Sequence, residues 1–209
     1  MSRFAYYEQM RALAQQVRLE HHLRSPRVLK SDLRRLYRVY GIKIDLWPHK
    51  FKALRGAYFD DDLGPTVLLA RQLPPEPMIF TMAHELKHHL VDRGLSLSYC
   101  DPSNAREPIE IGAEIFAAEL IFPQRDFVEY LRQMGIGPRQ CTPEVIVRLK
   151  HETQTTLSYA GLAKRAEFLN FAAAGSLAKV PWKKLEAQLY GEPVYKRLLR
   201  SRQDVQAGF

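Results

Sequence analysis

An α+β fold is predicted for this 209-residue chain by three observations. Apolar residues recur every three or four positions near the N-terminus, the period changes to two between residues 41 and 70, and a helical period returns from residue 78. Helices, a small antiparallel sheet and further helices should therefore follow one another along the chain.

Each element has a local reason. From Ser2 to about Leu23, the residues Phe4, Tyr7, Met10, Leu13, Ala14 and Val17 form the stripe of an amphipathic helix. A second helix is expected from Ser31, read as its N-cap, through Leu33, Leu36, Tyr37 and Tyr40 to a stop at Gly41. "GIKIDLWP" alternates as a strand, and "RGAYFDDDLGPTVLLARQL" reads as two strands around a polar turn at Asp60, Asp61 and Asp62. That acidic run lacks the alternate spacing and terminal Glu of a calcium loop. "LPPEPM" breaks the chain before a helix over 78–91, and a loop is expected at "SLSYCDPSNAREP". A further helix should begin near Pro108 and end at Pro123. Shorter helical segments without repeats follow.

Composition narrows the class. With 46% hydrophobic and 26% charged residues the chain can build its own core, so a metal is not needed for folding. No apolar run approaches the roughly 18 residues that cross a bilayer, and the polar N-terminus has no secretory pattern; no membrane partner and a cytoplasmic location are expected. Cys100 and Cys141 fit neither a disulfide framework nor a thiolate cluster and read as free thiols. The net charge of +8 divides as +2 over residues 1–123 and +6 over 124–209, which leaves a basic C-terminal part able to meet nucleic acid, an acidic protein or only solvent.

The chemistry concentrates in "FTMAHELKHHL", residues 80–90. His84 and His88 are four apart, so on a helix both imidazoles reach one ion. Glu85 follows the first histidine and is placed to take a proton from water beside that ion rather than to bind it, the general-base position of zinc peptidases. His89 lies about 100° further round and should point to the surface or behind the ligands. His21, His22 and His49 show no ligand spacing.

A zinc catalyst needs a third protein ligand. The continuation H-x-x-G-x-x-H is excluded, because position 91 is Val and position 94 is Gly. A downstream helix can supply a glutamate instead. Glu110 and Glu114 in "EIGAEIFAAELIFP" share one face, and whichever does not ligate could accept the N–H of a ligating histidine. Glu119, beyond Phe116 among packing residues, stands third.

"PTVLLARQLPPEPMIFTMAHELKHHLV" followed by "EIGAEIFAAELIFP" resembles the ImmA/IrrE family of zinc metallopeptidases over residues 66–123. By position the resemblance implies a zincin-like metallopeptidase core over 1–123, Zn2+ held by His84, His88 and Glu110, and Glu85 as general base. Glu114 stands where the family usually has Asn or Asp and becomes the candidate carboxylate behind the ligands.

After Pro123 a helical segment is expected over 124–209, packed on the core. Within it "PEVIVRLKHETQTTLSYAGLAKRAEFLNF" is similar to the helix-turn-helix-like tail of that family, with a unit at about 143–170 and a second helix starting near Ser158. Only Lys164 and Arg165 are basic on that second helix, so packing or a protein partner is favoured over direct DNA reading. The resemblance further implies an endopeptidase that cuts one regulatory protein, a helix-turn-helix transcriptional repressor, in a mobile-element or stress response. The competing reading is a DNA- or protein-binding regulator, antitoxin-like, with a structural or vestigial zinc site.

Overall fold

The computed structural model describes residues 2–48, 55–93, 98–99 and 107–191. His49, Cys100 and the basic stretch 194–202 lie outside the described residues, as does most of the expected loop around Cys100. The chain forms two compact units, residues 1–130 with 153–158, and residues 131–152 with 159–209. Among the described residues no helix is long and apolar enough to cross a membrane.

The first unit is mixed α+β. Helix α1 (Arg3–Glu20) is capped by the Ser2 hydroxyl, which accepts from the Ala5 amide at 3.2 Å. Helix α2 (Lys30–Val39) begins before the expected Ser31 cap, because the Asp32 carboxylate accepts the Leu29 amide at 2.8 Å and closes the first turn from inside the helix. It ends as expected at Gly41, whose φ of +69° suits a residue without a Cβ. Strands β1 (Lys43–Trp47), β2 (Gly56–Phe59) and β3 (Thr66–Ala70) follow.

The sheet is mixed, not antiparallel as expected. Its order is β1-β3-β2-β4, where β4 is the two-residue strand Ser98–Tyr99 inside the segment expected to be loop. Strand β3 folds back on β2 through the Asp60–Pro65 turn and pairs antiparallel to it, whereas β1 takes the other edge of β3 and runs parallel. Alternation of side chains fixes a strand but carries no direction. Since β1 and β2 point opposite ways with β3 between them, β1 must lie parallel to β3.

Helix α3 (Pro75–Val91) starts three residues before the expected Met78 because Pro75 occupies its first turn, where the missing N–H is not required. It is sequestered along nearly its whole length: Met78, Ile79, Thr81, Met82, Ala83 and every residue from His84 to His89 are buried. It packs on β2 and β3, on α2, and on α4 (Pro108–Ile121), which in turn packs on α1. Leu33, Leu36, Leu69, Met82, Leu86, Phe116 and Leu120 fill the space between, each contributing about 1.5–3 kcal/mol by leaving water. Tyr37 joins α2 to α3 by donating to the Met82 carbonyl at 2.7 Å.

Helix α5 (Gln124–Gln133) follows Pro123. In the second unit, α6 (Pro143–Thr153), α7 (Tyr159–Phe168) and α8 (Trp182–Tyr190) are helical. Ile146, Val147, Leu149, Leu162, Ala166 and Leu177 form its core, and Trp182 stacks on Tyr159 with ring centroids 5.3 Å apart.

Candidate metal centre

A helix that is buried on all sides should be apolar on all sides, yet α3 hides "HELKHH". Burying its five polar side chains is costly unless each is paired. His84 is 7% exposed, and Glu85 and His88 are 0% exposed, so these are not residues of a solvated helix face.

The partners of the two histidines come from one other helix and from the end of their own. His84 Nε2 lies 3.1 Å from Glu110 Oε2, and His88 Nε2 lies 3.5 Å from Glu110 Oε1. One ligand atom from each of the three side chains lies within 4.8 Å of the others, a group that could hold a metal ion. Tetrahedral zinc ligands of the imidazole and carboxylate type sit about 3.3 Å apart, so little movement would be needed. Glu110 is in the first turn of α4 and Pro108 begins that helix, which fixes the direction from which the carboxylate enters.

The polarity of His88 tests the fit. Its Nδ1 is 2.7 Å from Asp92 Oδ2. Burial acts to raise the Asp92 pKa, but the hydrogen bonds and charges of His88 and Lys87 together prevail and hold the carboxyl below its usual value. An ionised carboxylate only accepts, so Nδ1 carries the hydrogen of that contact and Nε2 is the ring nitrogen left to face Glu110. That Nε2 is buried without a hydrogen bond, 3.5 Å from Glu110 Oε1. A cation between the two atoms would satisfy both, and the residues fit one.

Charge accumulates around His84. Burial acts to lower its pKa, but the hydrogen bond to Glu110 and the negative charges of Glu85, Glu110 and Glu114 prevail and raise it. The surroundings therefore favour positive charge at this position.

Glu85 faces the sheet rather than Glu110. A Cβ placed on Gly56 at the start of β2 would come within 2.5 Å of Thr81 Cγ2 and 3.0 Å of Glu85 Oε1. The close approach of helix and strand depends on that glycine. Glu114 is exposed on α4 and acts on His84 through its charge, and Asp92, from outside the cluster, accepts a hydrogen bond from His88. Glu119 lies outside the cluster, accepting from Gln15 of α1 and from the Gln124 amide, both at 2.9 Å. His89 is not at the surface: it is 4% exposed, and its Nδ1 shares a 3.1 Å hydrogen bond with the Tyr58 hydroxyl.

Sequence reasoning missed Asp92 and Lys87. The first had a signal, since Asp92 is four residues beyond His88 and so on the same helical face. Lys87 had none, because a lysine between two candidate ligands reads as surface.

Residues 38–157 match the family model described as the IrrE N-terminal-like domain, peptidase M78. The matched stretch begins in α2 and contains the sheet, α3 and α4, hence every residue of the cluster. No curated protein matches the chain.

Proposed function

The chain belongs to the M78 family of IrrE N-terminal-like metallopeptidases, and from this membership we propose that it is a zinc endopeptidase with Zn2+ held by His84, His88 and Glu110 and with Glu85 as its general base. The observation that carries the reading is the buried Nε2 of His88, which has no hydrogen bond and lies 3.5 Å from Glu110 Oε1. Zinc, when bound, supplies Lewis-acid chemistry that makes a water more acidic and a peptide carbonyl more electrophilic.

The remaining work falls to side chains. Glu85, sealed from bulk solvent, takes a proton from the attacking water and returns it to the leaving amine. Burial keeps that proton in the site between the two transfers. Asp92 fixes the His88 ring with its lone pair toward Glu110, so this ligand needs no reorientation. Glu110 closes the cluster from α4, and the exposed Glu114 adds negative charge near His84.

The substrate we propose is a regulatory protein, a helix-turn-helix repressor, cut at one site in a mobile-element or stress response within the cytoplasm. This rests on the resemblance of residues 66–123 to the repressor-cleaving family. The segment over 143–170 is proposed as a helix-turn-helix-like unit that recognises protein; α6 and α7 supply its two helices.

Zinc content per chain, with affinity on add-back, tests the reading in wild type and Glu110→Ala. About one zinc in wild type, bound at least tenfold more weakly by Glu110→Ala, is expected of a three-ligand site. A wild-type chain that binds no zinc when it is supplied in excess would overturn the proposal.

A further inference from the structure

Lys87 is 0% exposed, although its side chain ends in an ammonium group. Nζ donates to Asp92 Oδ2 at 2.6 Å and to the Ile109 carbonyl at 3.0 Å, and it lies 5.7 Å from the centroid of the Tyr6 ring. All three neighbours matter to the cluster. Asp92 Oδ2 is the same oxygen that accepts from His88 Nδ1. Ile109 immediately precedes Glu110 in the first turn of α4. Tyr6 belongs to α1 and packs on α4 at Gly112, where an added Cβ would meet its ring at 2.7 Å.

We propose that Lys87 is a positioning residue of the centre: its buried ammonium holds Asp92 against His88 Nδ1 and holds the α4 backbone beside Glu110, so that one side chain orients two of the three cluster residues. The proposal rests on the metallopeptidase reading above. A buried ammonium is costly, and a well-packed apolar side chain would serve stability as well or better. What an apolar side chain cannot do is bridge a carboxylate on α3 and a carbonyl on α4 at once. Lysine can, since its ammonium has three donors. Without the ammonium, the Asp92 carboxylate loses the tie that fixes its rotamer and is free to turn its charge toward solvent, away from His88 Nδ1. The preference for hydrogen at Nδ1 then weakens, and the Ile109 carbonyl loses its tie to α3.

Lys87→Met in the full-length chain removes the charge at similar volume. Two quantities are read: zinc affinity by competition with a chelating dye, and the His88 tautomer in metal-free protein by two-bond 1H–15N correlation of the imidazole nitrogens. The expected result is native far-UV circular dichroism, zinc binding at least tenfold weaker, and loss of the single Nδ1–H tautomer expected of wild type. A folded Lys87→Met chain with zinc affinity within twofold of wild type and an unchanged tautomer would overturn the proposal. If wild type binds no zinc, the metallopeptidase reading fails, and the tautomer alone decides the role of Lys87. Should Lys87→Met not fold, Lys87→Gln, which keeps a neutral donor, is measured in its place. The same loss of affinity and tautomer supports the assignment, and wild-type values refute it.

Discussion

Asp92 accepts the Nδ1 hydrogen of His88 at 2.7 Å from one helical turn further along. The same oxygen receives the Lys87 ammonium at 2.6 Å. Asp92→Ala therefore strands a buried cation as well as a histidine. Removing one partner of a buried ion pair costs about 3–5 kcal/mol, so the urea midpoint of Asp92→Ala should fall by that equivalent. An unchanged midpoint would mean that the Lys87 ammonium finds water or another acceptor.

Gly56 sets the distance between β2 and Glu85. Gly56→Ala puts a methyl group 2.5 Å from Thr81 Cγ2 and 3.0 Å from Glu85 Oε1, so helix and strand must part. Overpacking of this kind costs about 1–3 kcal/mol. The cluster histidines are anchored to Asp92 and Glu110 instead, so zinc content should persist while the cleavage rate drops at least tenfold. Chemical denaturation, zinc analysis and the rate together separate this outcome from general unfolding.

The motif was legible because it is local: H-E-x-x-H puts His84 and His88 on one face of a helix, whatever surrounds that helix. Glu110 was one of two open choices by spacing alone, and only three-dimensional packing brings it, rather than Glu114, within 3.1 Å of His84. The parallel pairing of β1 was not legible, because period-two alternation records which face a residue occupies and not which neighbour its strand finds. Lys87 is the sharpest case. Lysine in a helix defaults to solvent, and nothing short of the packing of α1, α3 and α4 reveals that this one is enclosed.

Glu85→Gln keeps the size of the side chain and removes its basicity. Wild-type fold and zinc stoichiometry should be retained, with cleavage slowed by roughly 10²–10⁴, the usual contribution of a general base. The assay does not require the substrate in advance: new N-termini generated in a cell lysate by wild type and absent with Glu85→Gln mark the cuts by mass spectrometry. Identical termini with both proteins would remove Glu85 from the mechanism.

Two buried acids contribute to the alkaline side of stability. Burial pushes the Cys141 thiol up to about 11, and burial with the nearby Asp60 charge pushes the Tyr58 hydroxyl up to about 12. Both pKa values are higher folded than unfolded, so their neutral forms favour the fold. The contribution is complete below the unfolded values, roughly 9 for the thiol and 10 for the phenol, and is lost as pH rises through the folded ones. Urea midpoints should fall from about pH 9 upward. Cys141→Ala should flatten the earlier part of that fall and Tyr58→Phe the later part, and a slope unchanged by both substitutions would count against the assignment.

Metal removal can be followed in one unit of the chain, because the two tryptophans report separately: Trp47 lies in β1 of the first unit and Trp182 in α8 of the second. His84, His88 and Glu110 all belong to the first. An ion that binds the folded but not the unfolded form adds about 2.7 kcal/mol at a free concentration one hundred times its Kd. In Trp182→Phe, zinc should therefore raise the thermal midpoint reported by Trp47, and a chelator should reverse the rise. Glu110→Ala in the same background should show at most about half of that stabilisation at the same zinc concentration, since a tenfold loss of affinity leaves about 1.4 kcal/mol. An equal shift with and without Glu110 would place the stabilising zinc elsewhere on the protein and sever the link between the cluster and the metal.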